Sequence, residues 1–202
     1  MKIKFSIKTV EMDEEVGFTG NLVLIPVEDL TSPTLCKAVD TWTEILKHAE
    51  DLVLSDPIFE ESDPWFGFGV SLKGKIFYEK DLFSELESLD PVLETSLVRY
   101  METLIRYNLE ETEGEGLATH EELETGTFTI LRLLQKNLAY LPLYLRYLAS
   151  LDLDHTVAQL DVLFSLAKQY SSSQLEPLKK FAKDTNVQLL NDWLEDDRVW
   201  KD

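Results

Sequence analysis

The sequence predicts an α+β protein: an N-terminal antiparallel sheet with one packed helix, in the order β-β-α-β-β, followed by a C-terminal antiparallel helical bundle. Three observations lead there. Polar and apolar residues alternate near the N-terminus, cap-plus-proline pairs stand at Ser32-Pro33 and Asp90-Pro91, and from about residue 90 onward the apolar spacing is helical. The change of character is placed near residue 80, so that 1–80 make a small sheet region and 81–202 a helical region packed on it as one compact unit.

Residues 2–9 put Ile3, Phe5 and Ile7 on one face and Lys2, Lys4, Ser6 and Lys8 on the other, the period of a half-buried strand. Glu11 to Glu15 is an acidic connection, and Asn21 to Val27 is a second, aliphatic strand. Ser32 reads as an N-cap with Pro33 at the first helical position. The helix from there to about Leu54 carries Leu35, Val39, Trp42, Ile45, Leu46 and Ala49 on one stripe, and Asp56-Pro57 closes it. Trp65–Leu72 and Lys75–Glu79 form a hairpin turning at Lys73-Gly74, a weaker turn signal than Asn-Gly.

Asp90-Pro91 opens a helix to about Leu109 with Leu93, Leu97, Tyr100, Met101, Leu104 and Tyr107 in its stripe. Residues 110–116 are an acidic, glycine-containing loop, and Thr119 to Glu122 has capping-box spacing. Helical periodicity runs from about Thr127 to Ser150, with Pro142 expected to kink or split it. Helices follow at about Thr156–Tyr170, 174–183 and 186–195, with a second capping box at Ser173 to Glu176. No repeat of solenoid length is evident.

Charge is the most informative bulk property. The chain holds 38 acids against 19 Lys and Arg, a formal −19. Residues 1–125 account for 28 of the acids and 10 of the bases, whereas 126–183 hold 4 acids and 7 bases, so the field has a direction. Such a field attracts basic partners and repels nucleic acid and anionic membranes. The 44% hydrophobic content, with 10% aromatic residues, supports a packed core and excludes an acidic disordered chain. Cys36 stands alone, so no internal disulfide forms, which fits a reducing, cytoplasmic setting. No apolar run approaches the ~20 residues that span a bilayer.

Catalytic signatures are weak. Cys36 reads as a small apolar helix residue, since nothing beside it in sequence would activate the thiol. His120 has no second histidine at zinc-protease spacing, and His48 reads as a solvated helix residue. Gly67 and Gly69 lie in an aromatic strand with no Lys-Ser/Thr pair after them, so they do not make a phosphate cradle. Asp152, Asp154 and His155, joined by Asp161, could hold a divalent ion, but an Asp before a helix is ordinarily its cap, and the expectation is no metal and no cofactor.

Acidic clusters with aromatic neighbours remain: Glu60, Glu61 and Asp63 beside Trp65 and Phe66, and Glu110, Glu111, Glu113 and Glu115. Interfaces use this combination, charge to steer and aromatic rings to anchor. Trp193 and Trp200 among Glu195, Asp196 and Asp197 offer a second such place, or dock the last helix. The expectation is a non-enzymatic acidic protein that neutralises a basic partner protein, for example a bacterial toxin domain, by occluding its active site. In composition, though through no motif, the chain resembles immunity and antitoxin-type inhibitors. The alternatives are a metal- or carboxylate-dependent enzyme centred on Asp152, Asp154 and His155, and a DNA mimic. The mimic is disfavoured because the 91–109 helix mixes Glu102 with Arg99 and Arg106.

Overall fold

A computed structural model describes residues 5–13, 18–48, 66–84, 89–111, 126–151, 157–185 and 188–196. Strands β1 (Ser6–Asp13), β2 (Phe18–Val27), β3 (Phe66–Leu72) and β4 (Lys75–Tyr78) form one sheet in the order β1-β2-β3-β4. Helix α1 (Ser32–Lys47) lies between β2 and β3 in sequence. After the sheet come α2 (Glu79–Ser84), α3 (Pro91–Glu111), α4 (Thr127–Lys136), a 3-10 turn at Leu138–Tyr140, α5 (Leu141–Ser150), α6 (Val157–Gln169), α7 (Glu176–Thr185) and α8 (Gln188–Glu195).

The chain is thus mixed α and β, but the sheet is not antiparallel throughout. β1 pairs antiparallel with β2 from Ser6↔Leu24 to Val10↔Gly20, and β3 with β4 from Gly69↔Tyr78 to Leu72↔Lys75. Between them, β2 and β3 run parallel, from Asn21↔Phe66 to Val27↔Leu72. Parallel neighbours need a long crossover, and the stretch holding α1 between Val27 and Phe66 supplies one. Alternation assigns each side chain to a face and is silent about strand direction.

That register places Val23, Ile25, Phe68, Val70 and Phe77 in the main core with α1. Leu22 and Leu24 are also buried, and pack with Ile76 on the other face. From α1, Leu35, Val39, Trp42, Ile45 and Leu46 enter the core, and from α3, Leu93, Leu97, Tyr100, Met101 and Leu104. Trp42, Phe68 and Tyr100 meet with ring centroids 5.8, 6.0 and 6.1 Å apart, in tilted and edge-on arrangements that suit aromatic quadrupoles. The helices after residue 90 are not a separate bundle beside the sheet. α3 packs most extensively on α1 and also contacts α4 and α5, so it belongs to both parts. One contiguous core runs from Val23 to Leu194.

Helix boundaries correct several expectations. α1 is preceded by Thr31, not capped by Ser32, and the Thr31 N–H and hydroxyl both donate to Asp29 Oδ1, at 3.0 and 2.7 Å. α1 ends at Lys47; its expected extension to Leu54 lies outside the described residues. Glu79 begins a short helix where the strand was expected to end, and its six residues are too few to show a period. The 127–150 helix breaks at Asn137, whose side chain accepts the Ala139 N–H at 2.9 Å, while Pro142 sits harmlessly in the first turn of α5. Ahead of α7 the Ser171 N–H and hydroxyl both donate to Gln174 Oε1, each at 3.0 Å, two residues before the expected box at Ser173 to Glu176.

The Lys73-Gly74 turn forms as expected, with φ of 51° and 83°. Both central residues are therefore left-handed, as in a type I′ turn, and Lys73 bears a Cβ penalty that Asn tolerates better. Lys73→Asn is expected to stabilise the protein by about 0.5 kcal/mol in denaturant unfolding.

Candidate functional site

The acidic residues marked by the sequence are only partly within the described structure. Phe66 opens β3 opposite Asn21, and Glu110 and Glu111 form the end of α3. Glu60, Glu61, Asp63, Trp65, Glu113 and Glu115 lie outside the described residues, as do Asp152, Asp154, His155 and Trp200. Among the described residues no group of three His, Cys, Asp or Glu side chains could hold a metal ion, and no helix is long and apolar enough to cross a membrane.

Charge is uneven along the sequence: residues 49–65 and 112–125 together hold 11 acids and no Lys or Arg. Among the described residues, acids and bases meet. Arg99 reaches Asp40 at 3.2 Å, Lys47 reaches Glu44 at 2.6 Å and Arg146 reaches Glu102 at 3.5 Å. These exposed pairs add little stability.

The flanks of 112–125 are held by buried polar contacts. On the α3 side, the Asn108 amide donates to the Ser150 hydroxyl at 3.2 Å. On the α4 side, Gly126 takes φ 98° and offers no side chain to cap the helix. The cap comes from Glu79, 47 residues upstream: Oε2 accepts the Gly126 N–H at 2.9 Å, and Oε1 accepts the Thr129 N–H at 3.0 Å together with the Thr129 hydroxyl. This satisfies donors that a helix N-terminus leaves open, and the α4 dipole favours the negative charge. Burial nevertheless dominates and raises the Glu79 carboxyl above its ordinary range, against the lowering effect of the Thr129 and Gly126 donors.

Polar residues from α3 and α5 share this interior. The hydroxyls of Thr127 and Tyr147 are 3.3 Å apart. Tyr100 and Tyr144 are completely enclosed, and their phenols are raised well above the ordinary value, first by burial, then for Tyr100 by Glu79 and Tyr147, and for Tyr144 by Tyr147. Sequence reading missed Glu79 because its partners are far along the chain. The available signal was a helix opening at Gly126-Thr127 with no side-chain cap of its own.

A second network fastens the start of α3. Asp90 Oδ1 accepts the Val92 and Leu93 N–H groups at 2.9 and 3.0 Å. One turn on, Glu94 accepts hydrogen bonds from Lys136 and the Tyr140 hydroxyl, while Lys136 also donates to the Leu89 carbonyl at 2.7 Å. The bond to Glu94, then burial, push the Tyr140 phenol up to about 12. With no basic form near neutral pH, Tyr140 is a fastener here and not a proton acceptor. Glu94→Gln is expected to bring that phenol back toward its ordinary 10, read from the Tyr140 ring signals in an NMR titration. Cys36 is buried, and burial pushes its thiol up, opposite to what a nucleophile needs.

Compared with known proteins, the chain matches no family model, no curated protein and no solved structure.

Proposed function

We propose that the chain is a non-enzymatic, acidic protein-binding inhibitor of the immunity or antitoxin kind, acting in the cytoplasm on a basic partner such as a toxin domain. The observation that carries this reading is the uneven charge along the sequence: residues 1–125 hold 28 acids and 10 Lys and Arg, whereas residues 126–183 hold 4 acids and 7 Lys and Arg. Concentrated negative potential steers a cationic surface to particular places, and the aromatic residues Trp65 and Phe66 give one of them an anchor. Inhibition then follows from covering the partner's active cleft.

Steering acts on encounter, so charge governs association more than dissociation. A partner captured on the immobilised chain at about 50 mM salt and released at about 500 mM is then followed kinetically. Reversing Glu60, Glu61, Asp63, Glu110, Glu111, Glu113 and Glu115 to Lys is expected to slow association at least about tenfold and change dissociation by less than about threefold. Circular dichroism should be unchanged. An association rate indifferent to both salt and charge reversal would end the proposal.

A further inference from the structure

We propose that β1 is a self-pairing edge: two copies of the chain join antiparallel along β1, and their four-stranded sheets run on as one. The order β1-β2-β3-β4 leaves β1 and β4 at the two edges, and among the described residues β1 pairs with β2 alone. An edge strand presents a row of backbone N–H and C=O groups that a further strand can fill. The two edges are not equivalent. β4 has four residues and passes directly into α2 at Glu79, whereas β1 has eight, contains no proline and keeps a regular register with β2 from Ser6 to Glu11. Its irregularity, between Glu11 and Asp13, lies at the far end. Ser6 and Lys8 are exposed.

Charge identifies the occupant. Lys2, Lys4 and Lys8 precede the middle of the strand in sequence, and Glu11, Asp13, Glu14 and Glu15 follow it. Residues 1–15 thus hold 3 Lys and 4 acids, close to balance, within a portion 1–125 that holds 10 bases and 28 acids. A strand with opposite signs on its two halves is complementary to itself when reversed. In an antiparallel pair centred near Thr9, the basic half of each copy runs along the acidic half of the other, and two-fold symmetry makes the match twice. A parallel pair would set lysine against lysine and acid against acid, which is unfavourable across strands. The reversed arrangement also closes as a dimer and does not grow into a fibre. Edge lysines by themselves deter any added strand, and the acids that follow them make an exception for this same sequence. The −19 of each chain opposes the approach of two copies. At about 150 mM salt that repulsion is screened beyond about 8 Å, whereas paired strands lie about 5 Å apart. Self-pairing through β1 uses none of the residues proposed to meet a basic partner.

Light scattering after gel filtration, at about 100 µM chain and about 150 mM salt, is expected to give twice the 23.3 kDa of one chain. Amide exchange within Ser6–Val10 should slow as the concentration is raised through the dimerisation range. Two charge-reversed chains then test the pairing itself. One carries Lys2→Glu, Lys4→Glu and Lys8→Glu; the other carries Glu11→Lys, Asp13→Lys, Glu14→Lys and Glu15→Lys. Each alone sets like charges together and is expected to self-associate at least about tenfold more weakly than the original. Mixed, the two strands are complementary again, and a mixed dimer should form with about the original affinity. A second copy docking elsewhere would survive both reversals, and an edge reserved for another protein's strand would leave the unaltered chain a monomer. Either result overturns the proposal. So does exchange in Ser6–Val10 that is indifferent to concentration, or two folded monomeric variants that fail to combine.

Discussion

Glu79→Ala is expected to destabilise the protein by about 4 kcal/mol near about pH 5, one of the two largest single-residue effects anticipated. Three donors lose their acceptor at once: the Gly126 N–H, the Thr129 N–H and the Thr129 hydroxyl. Gly126, Thr127 and Thr129 are all buried, so water cannot easily take the place of the carboxylate. Each buried donor left unpaired costs about 1–3 kcal/mol, which is partly offset because a carboxylate no longer has to be dehydrated. Glu79→Gln should lose less. It keeps one oxygen for Thr129 but turns an amide N–H toward the Gly126 N–H. Urea unfolding with an unchanged m-value would confirm that the native state alone is affected.

The size of that loss depends on pH, and the direction is fixed. Burial raises the Glu79 carboxyl above its ordinary range, against the lowering effect of the Thr129 and Gly126 donors. Between the ordinary and raised values the folded state holds a proton that the unfolded chain has released. The contribution of Glu79 is therefore complete below the ordinary glutamate range and declines as pH rises through the raised value. Glu94 behaves oppositely. Its carboxyl is lowered by Lys136 and Tyr140, so its contribution is present above the ordinary range and lost as pH falls through the lowered value. Wild-type stability minus that of Glu79→Gln should shrink as the pH is raised, and a difference that grows would show that burial does not govern this group.

Local chemistry carried much of the fold. Turn residues at Lys73-Gly74, the Asp90-Pro91 cap and the apolar stripe of α3 each act within a few residues, and each element formed where its signal lay. Relations across the chain were not legible. Nothing in Asn21–Val27 or Phe66–Leu72 says that they run parallel, because that depends on the intervening crossover. Tyr78-Glu79-Lys80-Asp81 looks like a solvated strand end, yet Glu79 turns inward to a helix that starts 48 residues later. The acidic clusters are a different case. Composition shows where charge accumulates along the chain, whereas the relative placement of Glu60 and Glu115 is a matter of tertiary structure, outside the described residues.

Gly126→Ala is expected to cost about 3 kcal/mol, for two reasons that can be separated. At φ 98° and ψ −14° the backbone is left-handed, which penalises any L side chain by about 1–2 kcal/mol. The new Cβ would also lie 2.5 Å from Leu104 Cδ2, 3.2 Å from Met101 Sδ and 3.3 Å from Met101 Cε. Leu104 and Met101 are 2% and 0% exposed, so neither can swing into solvent, and overpacking of this kind adds about 1–3 kcal/mol. The Gly126 N–H remains free to reach Glu79, so the lost stability is steric and conformational. Shortening Leu104 to Ala removes the closest contact at the cost of a cavity, about 2–5 kcal/mol by itself. In the double variant the steric part should be recovered and the backbone part should remain. A coupling of about 1–2 kcal/mol between the two substitutions is the expected result. Strict additivity would mean that the crowding at α4 relaxes elsewhere, and that the left-handed backbone alone demands glycine at this position.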